Sequence, residues 1–130
     1  MIKQYFVALF SFLLIDGVWL TVVAKNFYAK HLGYLMAKPP NLLAAGIFYL
    51  IYIFGLVVLA LSPALQKGSL ISAILMGALF GFCAYATYDL TNLATIKDWP
   101  LIVTIVDLIW GAVLSGSVAG VSFLILNKWL

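Results

Sequence analysis

Residues 101–126 read LIVTIVDLIWGAVLSGSVAGVSFLIL, with Pro100 in front and Asn127-Lys128 behind. Asp107 is the one ionisable side chain in the run. A helix rises 1.5 Å per residue, so roughly 20 apolar residues cross ~30 Å of hydrocarbon. The run is long enough, and it lacks the alternation of apolar and polar residues that a barrel strand needs. It predicts a transmembrane helix.

Working backwards, three more stretches meet the same test. They are residues 69–94, residues 41–61 between Pro39-Pro40 and Pro63, and residues 5–24. Prolines suit such boundaries because they fix φ and lack a donor. Gln66-Lys67-Gly68 and Lys97-Asp98-Trp99-Pro100 read as tight polar turns. The first run resembles a signal peptide, but Asp16 interrupts it and it exceeds the usual core of ~7–15 residues. It is read as a retained first helix. The expected fold is therefore all-α, a single transmembrane domain over residues 1–130 built as a four-helix bundle.

Composition agrees. Hydrophobic residues make up 66% of the chain and charged residues 8%. A soluble domain carries about 25% charge, so this chain has too little polar surface to face water and needs lipid as solvent. The net charge of +3 comes from seven lysines scattered singly, with no arginine. Without a basic run or stripe, nucleic-acid binding is excluded. The lysines read as interfacial anchors. Lys3, Lys67 and Lys128 fall on the face holding the termini, and Lys25, Lys30, Lys38 and Lys97 on the other, so charge sets no orientation. Cys83 is the only cysteine, so no intramolecular disulfide can form. It lies in an apolar segment and is expected to be a buried thiol.

The first loop, residues 25–40, differs from the other connections. Phe27, Tyr28, His31, Leu32, Leu35 and Met36 fall at helical spacing on one face, with Lys30, Gly33 and Lys38 toward the other. This predicts a short amphipathic helix lying in the interface. Ala73, Gly77 and Gly81 recur every fourth position, as do Ala112, Gly116 and Gly120. Such lines let helix backbones approach closely, within the bundle or between protomers of a homo-oligomer. Trp99 and Trp129 read as interfacial belt residues.

The acids carry the functional signal. Asp98 lies in a loop, but Asp16, Asp89 and Asp107 lie inside predicted spans. Ionisable residues within spans are costly and face a bundle interior or a water-filled cavity. Counting along the helices, Asp16 lies ~16 Å in from the first face, just past the midplane. Asp89 lies ~30 Å along the third helix, and Asp107 returns only ~9 Å from the second face. All three fall in the half of the membrane under the first and third loops. Tyr85, Asp89 and Asn92 share a helical face there, and Asn41, Tyr49 and His31 are within reach. Asp16-Gly-Val-Trp19 and Asp107-Leu-Ile-Trp110 repeat a D-x-x-W pattern, which puts each pair on one helix face.

No lysine lies deep in a span to neutralise these acids. They carry their protons, bind a cation (a metal through oxygen ligands, or an amine), or are hydrated in a cavity. Trp beside Asp also suits an organic cation, through charge and cation–π attraction. The bland alternative is that the acids glue helices together by accepting hydrogen bonds. Reaction signatures such as G-x-S-x-G, H-E-x-x-H or a phosphate loop are missing. One His and one Cys lying apart cannot make a zinc site. The sequence leaves the cofactor unknown.

The run Tyr85-Ala-Thr-Tyr88-Asp89-Leu-Thr91-Asn92-Leu-Ala-Thr95, with Trp99, Asp107-Leu-Ile-Trp110-Gly111 and Asp16-Gly-Val-Trp19, resembles a bacterial family of four-helix membrane proteins, domain-of-unknown-function family 2177. The resemblance covers essentially the whole chain. It implies a bacterial source and an inner-membrane location, and it carries no reaction and no site residue. Small multidrug exporters are similar in helix count, in length and in placing one acid in the first helix. The acids in helices three and four and the long first loop depart from that pattern.

The expected site is a ligand-binding pocket open to the second face, lined by Asp16, Trp19, Tyr85, Asp89, Asn92, Asp107 and Trp110. Its ligand would be a small polar or cationic molecule or a lipid headgroup. A transporter subunit and a lipid-modifying enzyme with paired carboxylates are the alternatives. Four crossings require both termini on one side of the membrane. Reporters fused in turn to the N- and C-termini should give the same topology signal, and opposite signals would rule out an even helix count.

Overall fold

The structure, a computed structural model, describes residues 1–129. Four helices are long and apolar enough to cross a membrane: α1 Ile2–Leu32, α2 Leu42–Lys67, α3 Leu70–Thr95 and α4 Leu101–Lys128. Local chemistry sets most of their ends. Asn41 and Ser69 cap α2 and α3, their side-chain oxygens accepting from Ala44 N and Ser72 N, each at 3.1 Å. Gly68, at φ 67°, closes α2 in the left-handed conformation that a residue without Cβ adopts freely. Pro100 sits at the N-cap of α4.

Two ends differ from expectation. The segment after Ala24 is helical, but it continues α1 instead of forming a separate short helix. No Gly or Pro stands between Val18 and Leu32 to break the chain, and residues 19–24 widen into a π turn. At 31 residues α1 is about 46 Å long, more than the ~30 Å of hydrocarbon, so part of it projects past the apolar layer. Leu35 and Met36 fall beyond the helix end, in the turns that follow it. Likewise α2 does not stop before Pro63. A second π turn, Val57–Leu61, precedes the proline, and the helix runs on to Lys67. Proline lacks a donor and crowds the preceding turn, and a widened turn is one way a helix absorbs it. Gln66 and Lys67 therefore lie in a last helical turn, with Gly68 alone as the reversal.

α4 is the most buried helix, with α3 and α1 packed against it. The α3–α4 contact is the most extensive in the molecule. Ala73, Gly77 and Gly81 are all buried in it. On α4 the line of nearest approach is Gly111, Ser115 and Ala119, one residue from the expected Ala112-Gly116-Gly120 line. Gly116 and Gly120 flank the seam against Ile74 and Ala78. In lipid such contacts replace the hydrophobic effect as the source of helix association.

The apolar core lies at mid-membrane and toward the face holding the termini. Phe12, Ile53, Leu56, Leu61, Leu114, Val118 and Phe123 form it. A hydrogen bond between the Tyr52 and Ser115 hydroxyls ties α2 to α4 within it. Cys83 is exposed on the outer side of α3 and not buried as expected.

A Cβ added at Gly77 would meet Ala119 Cβ and the Ser115 carbonyl oxygen, each at 2.7 Å, whereas nothing lies within 4 Å of one at Gly17. Gly77→Leu should therefore destabilise the protein by about 1–3 kcal/mol in detergent unfolding, the usual cost of overpacking. Gly17→Ala should be neutral or gain up to about 1 kcal/mol from helix propensity.

Candidate functional site

Three helices bring the three acids inward. Relative exposure is 7% for Asp16, 0% for Asp89 and 5% for Asp107, so none faces lipid. They do not form one cluster. Asp89 on α3 and Asp107 on α4 are neighbours whose carboxyls interact. Asp16 on α1 sits apart from them, beside Trp110. Among the described residues, no three acidic, His or Cys side chains converge as a metal site would require.

The two D-x-x-W motifs explain the arrangement. α1 and α4 run in opposite directions, so the acid of one motif lies level with the tryptophan of the other. Trp110 accordingly comes up to Asp16, although its buried Nε1 lies outside ordinary hydrogen-bond geometry. Trp19 approaches the hydroxyl of Tyr28, and that hydroxyl donates to Asp107 Oδ1. The indoles of Trp19 and Trp110 stack on each other, with centroids 4.3 Å apart and planes 11° apart. Each ring therefore spends one face on its partner. The pair joins the Asp16 level to the Asp107 level and does not form an open cage.

Tyr28 is a site residue that the sequence placed only on an interfacial face. Twelve residues at ~3.6 per turn leave Tyr28 about a third of a turn out of phase with Asp16. The π turn at residues 19–24 takes up about one extra residue and brings Tyr28 back into phase. The signal available in the sequence was the unbroken helix-compatible run from Val18 to Leu32.

Asp89 is the most enclosed of the acids. Both its carboxyl oxygens are buried, and neither has a hydrogen-bond partner among the described residues. Its backbone oxygen accepts from the Thr104 hydroxyl at 3.4 Å, and that hydroxyl accepts from Trp99 Nε1 at 3.1 Å. Trp99 is thus buried and packs edge-on against Tyr88, contrary to the expected belt position. It braces the end of α3 against the start of α4. Tyr34, beyond α1, donates to the Asp98 carbonyl at 2.6 Å and ties the first loop to the third.

In front of the acids lies a cleft of about 350 Å³. Ala45, Phe48 and Tyr49 of α2, Ala84, Tyr85 and Tyr88 of α3, and Asp107 of α4 line it. Phe48 and Tyr49 belong to a larger aromatic group with Phe12, Tyr52 and Phe80. Of the expected residues, Tyr85 and Asp107 reach the cleft and Asp89 stands behind it. Tyr85 is also close to Asp16 and links the two acid levels. Asn92 lies beside Tyr88. His31 packs on Phe27, with ring centroids 4.8 Å apart, and Asn41 is occupied as a helix cap. Phe48 and Tyr88 enter the site without having been singled out for it.

The sequence matches the DUF2177 family, described as predicted membrane protein, over residues 1–124. The chain belongs to this family. DUF2177 membership agrees with four membrane-crossing helices and makes the chain a multi-pass membrane protein. No curated protein and no solved structure matches it. The chemistry of this DUF2177 chain is therefore argued from its own residues.

Tyr28→Phe keeps the ring and removes the hydroxyl that donates to Asp107. It should cost about 1–3 kcal/mol of stability, the range for stripping a donor from a buried acceptor. Detergent unfolding followed by circular dichroism measures this. A change below ~0.5 kcal/mol would mean that the contact does not hold the helices together.

Proposed function

We propose that this protein binds a small cationic ligand, or a lipid headgroup bearing an ammonium, in the cleft in front of Asp107. The observation that carries the reading is the combination of aromatic walls and a buried acid in one cleft. Phe48, Tyr49, Tyr85 and Tyr88 offer ring faces, and Asp107 offers charge. Cation–π attraction reaches ~2 kcal/mol or more when the site is desolvated. Asp89, enclosed and in contact with the Asp107 carboxyl, adds acidic character behind it. The cleft volume lies at the lower end of the ~300–1,000 Å³ typical of ligand pockets. In this reading Asp16, Trp19, Trp110 and Asn92 complete the proposed site around the cleft.

The residues after Ala24 extend α1 over the acids, and we read them as the interfacial part of that helix, with Tyr28 as its anchor. The bacterial inner membrane is the location that goes with this reading. A homo-oligomer would use the outward groove at Ala112, Gly116 and Gly120, which is left open beside the α3–α4 seam.

A second reading is a lipid-modifying enzyme. The adjacency of Asp89 and Asp107 favours it, since paired carboxyls can divide the roles of proton donor and acceptor. A monomeric transporter resembling small multidrug exporters draws less support. It needs a polar path through the half that Leu56, Leu61, Leu114 and Phe123 fill.

Purified protein titrated with tetramethylammonium should show a saturable change in tyrosine and tryptophan fluorescence. Asp107→Asn should weaken it at least ten-fold, with helicity and elution volume unchanged. A saturable response that survives Asp107→Asn at full strength would move the site elsewhere, and no response in the folded wild type would defeat the cation reading.

A further inference from the structure

The way the cleft is framed points to its ligand class. The α2 backbone approaches α3 through residues 57–67; before them Tyr52 and Gly55 still meet the Phe80 ring, and the backbones part toward Leu42. Below the π turn the two helices diverge, and the cleft is the space between them. Its walls are therefore two membrane-spanning helices, and its mouth opens sideways toward lipid. Phe48 and Tyr88, at 48% and 57% exposure, flank that mouth, and small Ala45 and Ala84 leave it passable. Ile51, one turn along α2 from Phe48, is exposed and apolar as well, whereas Leu42, Leu43 and Ile47 line a separate groove with Leu9 and Leu13 of α1.

Taking the cation reading as its basis, we infer that the ligand is an amine-headed membrane lipid that enters laterally between α2 and α3. Its ammonium would sit against Asp107 among the tyrosine rings. The cleft, at about 350 Å³, holds a headgroup and not two acyl chains, so the chains stay in the bilayer outside the mouth. A ligand with a charged end and an apolar end matches a site whose base is acidic and whose mouth is greasy. Asp89 adds to the acid at the base. It is 0% exposed and stands behind Asp107, whose carboxyl it meets, so Asp107 is the acid that faces the cleft and the ammonium.

The test separates the lipid from its free headgroup. Native mass spectrometry of the detergent-solubilised protein, titrated with equal amounts of phosphatidylethanolamine and phosphatidylglycerol of matched chains, should show at least ten-fold preferential retention of the amine lipid. Asp107→Asn should abolish the preference. Should that variant fail to fold, Tyr85→Ala, which removes one ring from the cleft, should reduce the preference several-fold. In parallel, calorimetry with free ethanolamine should show binding at least ten-fold weaker than that of a short-chain phosphatidylethanolamine below its micelle concentration. Equal retention of the two lipids by the wild type would overturn the lipid assignment. If free ethanolamine still bound under that result, the cation site itself would stand; if it did not, both readings would fall. Equal affinity for the free amine and the short-chain lipid would place the ligand in water and close off lateral entry.

Discussion

Everything in this molecule hangs on how closely α3 and α4 approach each other. In lipid, burying apolar side chains gives helices little reason to associate, so backbone proximity must supply it. Gly77 and Gly81 let α3 lie against Gly111, Ser115 and Ala119 of α4. The same approach fixes the chemistry. Asp89 follows Gly81 on α3 and Asp107 precedes Gly111 on α4, so a seam with no side chains to spare brings two carboxyls together further along. Trp99 and Thr104 then hold the far end of the two helices, which keeps the acids from splaying.

The helix count and the inward placement of the acids were legible from composition and length alone. A continuous apolar run is a one-dimensional signal, and an aspartate inside it has few places to go. What was illegible depends on phase or on partners. Tyr28 could not be assigned to Asp107 by counting residues, because the count assumes a constant 3.6 per turn and the chain departs from it at residues 19–24. Pro63 looked like a terminus, and the widened turn before it let the helix continue. The two tryptophans looked like walls of a cage, and their stacking on each other is a fact of three-dimensional partnering that no spacing on one helix reveals. Trp99 is buried instead of standing in the interfacial belt, and Cys83 is exposed instead of buried, because neither sits in a strongly periodic context.

The division of the bundle into two halves has a structural meaning. The half toward the termini is filled with Leu, Ile, Val and Phe and with the Tyr52–Ser115 contact. The other half has hardly any apolar core, and its helices are held by aromatic rings, hydroxyls and carboxyls instead. Such a half is cohesive only through specific partners, and α2 is held there by Phe48 and Tyr49 in the ring group while its backbone stands away from α3.

The π turn in α1 makes rotation and bonding a single variable. The Tyr28 hydroxyl on Asp107 links residues 25–32 to α4. If the wide turn tightened to ordinary α geometry, everything beyond it would swing by about one residue, roughly 100°. Tyr28 would then face away from the acids. The upper end of α1 thus behaves as a bolt on a screw thread, seated over the carboxyl pair only while the thread carries its extra residue.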